Sequence, residues 1–283
     1  MFKRLMTTFI MFLFIAGCSS SYLLQYKGSP GKIRRYQMDT NLEQNMEMMG
    51  NEINITMQLV SFITQTIENI EDSGNINISI VYDSLQFDAT GMQMVAMKGK
   101  LEEQINKLKG KKIEFRISNK GEVLETSGID SLLPQQLNQF VNSRELASSF
   151  TPDLPDKKVK IGDSWEVKKE VPIEKEDAKM KMNVSRNSKL TLIGKEKVDG
   201  LTLLKIQHTG TVGLDGEMEQ GGMNLFLEGD GDIKGEILFD VKNGCLYSHS
   251  SETEMDLTIA TSGQQNMTIP MMQYVKVKIS RLK

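Results

Sequence analysis

Thioethers dominate the groups in this 283-residue chain that could do chemistry: 19 Met stand against 11 Phe, 6 Tyr, 2 His and 2 Cys. They cluster as Met46, Met48 and Met49; Met92, Met94 and Met97; Met180 and Met182; and Met271 and Met272. Spacing by two puts Met46 with Met48, Met92 with Met94 and Met180 with Met182 on one face of an extended strand. Three uses fit. Flexible Met side chains fill irregular cores, line pliable cavities for acyl chains, or capture soft ions such as Cu(I). The ion reading ranks last because supporting imidazoles are scarce. Met46, Met48, Met57, Met92, Met94, Met180 and Met182, with Leu101, Ile105 and Phe140 from two amphipathic stretches, form the candidate ligand-lining set.

Other chemistry is thinly represented. Nucleophilic hydrolysis needs a Ser, Cys or Thr beside a base, and no Gly-x-Ser-x-Gly elbow occurs. His208 shares strand parity with Leu204 and Ile206 and reads as a core or rim histidine. Cys245, in Gly244-Cys245-Leu246-Tyr247, reads as a structural thiol, and His249 in the same strand is badly placed to activate it. Glu228-Gly229-Asp230-Gly231-Asp232 offers oxygens to calcium but lacks the loop length and distal Glu of an EF-hand; its two glycines argue for a tight turn or bulge, and a turn is expected. The chain therefore reads as non-enzymatic, with no catalytic residues, metal or cofactor. With 34 Lys+Arg against 37 Asp+Glu, no basic excess favours nucleic acid.

The N-terminus carries a modification signal. Lys3 and Arg4 precede an apolar run, Leu5–Ala16, too short for the ~20 residues that span a bilayer and right for a signal-peptide core. Ile15-Ala16-Gly17-Cys18 then resembles the bacterial lipobox, in which the Cys thiol receives a diacylglycerol and becomes the new N-terminus. An ordinary cleaved signal with an incidental Cys is the other reading. Two acyl chains give a stable anchor. Loss of residues 1–17 would take the formal charge from −3 to −5. Ser19, in place of an inner-membrane Asp signal, favours the periplasmic face of the outer membrane by resemblance to lipoprotein sorting rules.

Behind a tether at 18–32, polar and apolar residues alternate in 53–59, 75–80, 112–118, 255–259 and 274–280, the pattern of antiparallel strands with one wet face. Asn119-Lys120-Gly121 and Lys242-Asn243-Gly244 read as hairpin turns. Helices are expected over 98–108, where Leu101, Ile105 and Leu108 recur at helical spacing with a Glu103/Lys107 pair, and over about 134–148. The strand-turn-strand of 110–124 has a counterpart in 235–246, which suggests an internal repeat: a first β-rich unit at 33–128, a helical linker at 129–159 and a second unit at 160–283.

The lipobox, the Asn/Gly hairpin after a helix, and above all Pro155 followed by Val159-Lys160-Ile161-Gly162-Asp163-Ser164-Trp165 resemble an uncharacterised family of bacterial lipoproteins. That resemblance brings no activity. The architecture is distantly similar to the LolA, LolB and LppX half-barrels, which carry lipid or acyl chains. The expected fold is α+β: two tandem, strongly curved antiparallel sheets, each a half-barrel with a helix on its concave side. The expected role is an envelope lipoprotein, anchored to the membrane by acyl chains, that binds a hydrophobic ligand or lipid. The alternative is a structural or protein-interaction lipoprotein of unknown partners.

Overall fold

Long alternating strands need partners on both edges, and the chain supplies them within one sheet. The computed structural model describes residues 20–48, 50–91, 94–128, 143–175, 179–220, 223–262 and 266–283. Its elements run β1 (Ile33–Met48), β2 (Asn51–Ile70), β3 (Ile76–Thr90), α1 (Met94–Asn106), β4 (Lys112–Ile117), β5 (Val123–Ser127), α2 (Ser143–Phe150), β6 (Ser164–Lys175), β7 (Met180–Val198), β8 (Leu201–Gln220), β9 (Met223–Asp240), β10 (Cys245–Ser262) and β11 (Met267–Arg281). The strand order is β5-β4-β3-β2-β1-β11-β10-β9-β8-β7-β6, antiparallel throughout.

Antiparallel pairing agrees with the alternation, but two tandem sheets are not formed. β1 pairs with β11 from Tyr36↔Arg281 to Met46↔Met271, so the first and last strands fuse everything into one eleven-stranded sheet. The physical reason is edge saturation: two separate sheets would expose four edges of unpaired amides, and the β1–β11 seam removes two of them. Nor does each half have its own helix on a concave face. Among the described residues two helices accompany a nearly all-β molecule.

The sheet is rolled, as the contacts of α2 show. Arg144 donates to the Val123 carbonyl on β5 at 2.9 Å, Glu145 pairs with Arg186 on β7, and the Ser149 carbonyl accepts from His249 Nδ1 on β10 at 3.0 Å. An eight-residue helix is about 12 Å long. A flat sheet of this many strands would be nearly 50 Å wide at about 4.8 Å per strand. One short helix can touch an edge, a near-edge strand and a central strand only if the sheet curls round it.

The main core fills the end of the roll where β1 begins and β11 ends. Ile63, Ile67, Ile80, Ile113, Ile117, Leu192, Ile206, Phe239 and Ile279 point into it. The segment 20–27 plugs that end: Leu24 is fully buried, Tyr22 bridges Val159, and the Tyr26 hydroxyl donates to the Pro152 carbonyl at 2.9 Å. Tyr26 stacks edge-on against Phe239 and Tyr36 against Phe150. α1 packs beside β3 and buries Leu101 and Ile105, and Leu108 is buried in the turn after it; Lys107 reaches Glu103 at 3.3 Å. Both expected hairpin turns are present, with Gly121 at φ 92° and Gly244 at φ 57°. Where the range of the second expected helix is described, from Ser143, it is helical and runs on to Phe150; the rest of that range, with Pro134 and Phe140, lies outside the described residues.

The acidic stretch 228–232 is corrected. It is no turn but the middle of β9, with Glu228, Asp230 and Asp232 exposed outward. Gly229 and Gly231 point inward beneath Leu257 and Met255. A Cβ on Gly231 would lie 2.1 Å from the Glu254 carbonyl and 2.7 Å from Met255 Cγ, so glycine is required for strand contact.

Candidate functional site

Away from the plugged end, the inner face of β7–β11 and β1 continues without a covering helix among the described residues. Val212, Ile233, Met255 and Leu257 form a second, small buried cluster, flanked by half-buried Val184, Leu214 and Met271. Nearer the strand tips Met46, Met182, Leu227, Ile259 and Ile269 remain half-exposed. The result is a largely apolar trough, crossed at the β1–β11 seam by Gln44, whose Nε2 donates to Gln273 Oε1 at 2.8 Å.

Its methionines are placed by register. Met46 and Met48 share the inner face of β1, and Met46 lies directly opposite Met271. Met180 and Met182 share the inner face of β7; Met182 pairs with Gly216, and its Cγ occupies the space a Cβ there would need, at 2.6 Å. Met57 faces inward from β2, paired with Leu42. Met94 lies on α1, buried, and not on an extended strand. Met92 and Phe140 lie outside the described residues, as does Cys18. Leu101 and Ile105 belong to the filled core. The structure thus brings Met46 and Met271 together, whereas Met46 and Met182 are separated by four strands, so the pairs do not assemble into one thioether cluster.

At the inner end of the trough, beneath α2, lies a polar patch that sequence parity alone did not single out. His208 projects inward from β8 opposite Gly235 on β9, and His249 projects inward from β10 opposite Ile237. With no side chain at Gly235, the two imidazoles approach across β9 to 6.2 Å between ring centres. His208 Nε2 meets Ser188 Oγ at 2.9 Å. Burial pushes the His208 pKa down to about 4, with the nearby His249 and Arg186 adding to the shift; burial lowers His249 as well. Three shielded nitrogens here have no hydrogen-bond partner: Arg186 Nε, His208 Nδ1 and His249 Nε2. On β6, Lys169 pairs with Asp153 of the linker at 2.5 Å, and Trp165 Nε1 donates to the Asp153 carbonyl at 3.0 Å. Burial raises the Asp153 carboxyl pKa and Lys169 opposes the shift.

The remaining candidates are structural. Cys245 is buried, accepts from Arg281 Nη1 at 3.1 Å, and has its thiol pKa raised by burial, which disfavours the reactive thiolate. A crevice bounded by Tyr26, Arg34, Tyr36, Gln65 and Phe150 encloses about 10 Å³, room for one water at most. Among the described residues no three His, Cys, Asp or Glu side chains converge on a metal site, and no helix is long and apolar enough to cross a membrane.

Residues 133–246 match the model of a family of unknown function, DUF6263. No curated protein matches the chain. Among solved structures, OccK8 (OprE) of Pseudomonas aeruginosa is 6% identical over 91% of this chain and 100% of that one, with a TM-score of 0.23. A putative AttH of Nitrosomonas europaea is 8% identical over 85% of this chain and 92% of that one, with a TM-score of 0.14. Neither likeness carries an argument about this fold or its role.

Proposed function

We propose that this chain is an envelope lipoprotein, tethered by acyl chains on Cys18 at the periplasmic face of the outer membrane, that holds a hydrophobic ligand such as a lipid acyl chain in the trough. The observation that supports this reading is the half-exposed apolar inner face of β7–β11 and β1, beside an end that the chain's own segments fill. Strands of up to 20 residues are long for burying side chains against one another alone. A lipid tail would cover the remaining apolar surface, at about 25 cal/mol per Å² removed from water. The outer face of β8–β10 instead carries Asp215, Glu217, Glu228, Asp230, Asp232, Glu254 and Asp256, all exposed, unlike the apolar band of a membrane-spanning barrel.

The filled plugged end supports the alternative, a docking lipoprotein without a small-molecule ligand. Native mass spectrometry of the unlipidated chain, recovered from cells and paired with titration of a fluorescent alkyl probe, separates the two. Copurifying lipid or saturable probe binding is expected; absence of both overturns the ligand reading and leaves the docking one.

A further inference from the structure

We propose that Arg186, backed by His208 and His249, receives the anionic end of an amphiphile whose chain lies along the trough. This rests on the ligand reading above and adds a chemical class to it. From the histidines to the tips, the inward positions described on β7–β11 carry no carboxylate: the acids of those strands alternate outward, and Arg186 is the only permanent charge among them. An isolated cation on an apolar wall is costly unless an anion meets it. Here the anion comes from outside the sheet: Glu145 on α2 pairs with Arg186. The nearby Lys169 is likewise matched by a linker carboxylate, Asp153, in a better shielded pair.

The Arg186 pair differs in being open. Arg186 keeps 31% of its side chain exposed and Glu145 keeps 44%, so a ligand oxyanion can reach the guanidinium. Arg186 Nε is an unused donor, and His208 Nδ1 and His249 Nε2 stand unpartnered beside it. Because His249 Nδ1 faces a carbonyl it carries a proton, which leaves Nε2 of the neutral ring as an acceptor for an acidic or hydroxyl hydrogen. His208 Nδ1 donates when Ser188 supplies the hydrogen to Nε2. A carboxylate or phosphate head fits this set, and Glu145 occupies part of its place.

The test is displacement of a neutral fluorescent alkyl probe by palmitate and by hexadecanol, which share a chain length and differ in head charge. In the unaltered protein palmitate should bind about tenfold or more tighter, the scale of a charge-assisted hydrogen bond. Arg186→Gln should abolish that preference while leaving hexadecanol affinity within about twofold, and Arg186→Lys should keep part of it. Should Arg186→Gln not fold, Glu145→Gln decides: removing the internal competitor should strengthen palmitate severalfold without changing hexadecanol. Equal affinities in the unaltered protein, a preference that survives Arg186→Gln, or no gain in Glu145→Gln each overturn the inference while the trough reading stands. If neither ligand displaces the probe or binds, the trough reading fails and this inference with it.

Discussion

His208 shares one patch of the inner wall with Arg186, and burial there makes its imidazole resist charging. The His208 pKa of about 4 lies below the ordinary 6.5. Between those values the unfolded chain binds a proton that the folded chain does not, so stability is full above about pH 6.5 and declines as pH falls toward 4. The loss at the acid end is on the order of 3 kcal/mol at most, from about 1.4 kcal/mol per unit of pKa. Urea unfolding at pH 7 and pH 4.5 should show the decline, and His208→Asn should flatten it; an equal decline in the variant would place the acid sensitivity elsewhere. Part of this patch is legible in the sequence once strand parity is applied to its charges, although only His208 drew a reading there. Arg186 has the same parity as Met180, Met182 and Val184, and Lys169 the same as Val167 and Val171, so both were readable as inward cations. Their partners were not. Glu145 and Asp153 lie in a linker whose position depends on how the sheet rolls, and no local pattern encodes that.

At the scale of elements, glycine and like charges shape β9. Gly231→Ala forces a methyl to 2.1 Å from the Glu254 carbonyl, and backbone in a paired strand cannot yield cheaply. A loss of about 2–3 kcal/mol is expected, in the range of overpacked cores. Gly194→Ala, on β7 with nothing within 4 Å of the added carbon, should be neutral or stabilising by up to about 1 kcal/mol. Equal effects in chemical denaturation would refute the steric account. The outer face of the same strand carries an opposite liability. Asp230 lies directly across from Asp256, Asp232 from Glu254, and Glu228 from Asp215. Asp230→Asn should therefore stabilise by a few tenths of a kcal/mol, more at low salt than at high, since facing like charges disfavour pairing and salt screens them. The alternation that locates β2, β3, β4, β10 and β11 was readable as period two, whereas the Glu/Gly/Asp run was misread because glycine marks both turns and strands in close contact. Distinguishing them requires knowing that Leu257 and Met255 sit opposite, and that information is contributed by another strand.

For the whole molecule the decisive contact is the β1–β11 seam, which joins residues more than 200 positions apart in the chain. No hairpin signal could announce it, so the sequence supports two units as readily as one sheet. The seam also unifies the core, since one cluster takes Tyr36 and Ile63 from the first strands and Leu204, Phe239 and Ile279 from the last. Unfolding should accordingly be a single cooperative transition, with fluorescence of the lone Trp165 and far-ultraviolet circular dichroism giving coincident midpoints. A proline at Val275 tests the cause. Val275 lies between Leu42 on β1 and Thr253 on β10, in a strand paired on both sides, so proline removes a ladder donor and clashes with its neighbours. Val275→Pro should cost about 3 kcal/mol or more and weaken both halves together. Separate transitions in the unaltered chain, or a variant in which β1–β5 keeps its full protection from hydrogen exchange, would mean that the two halves hold themselves up and that the seam merely lies between them.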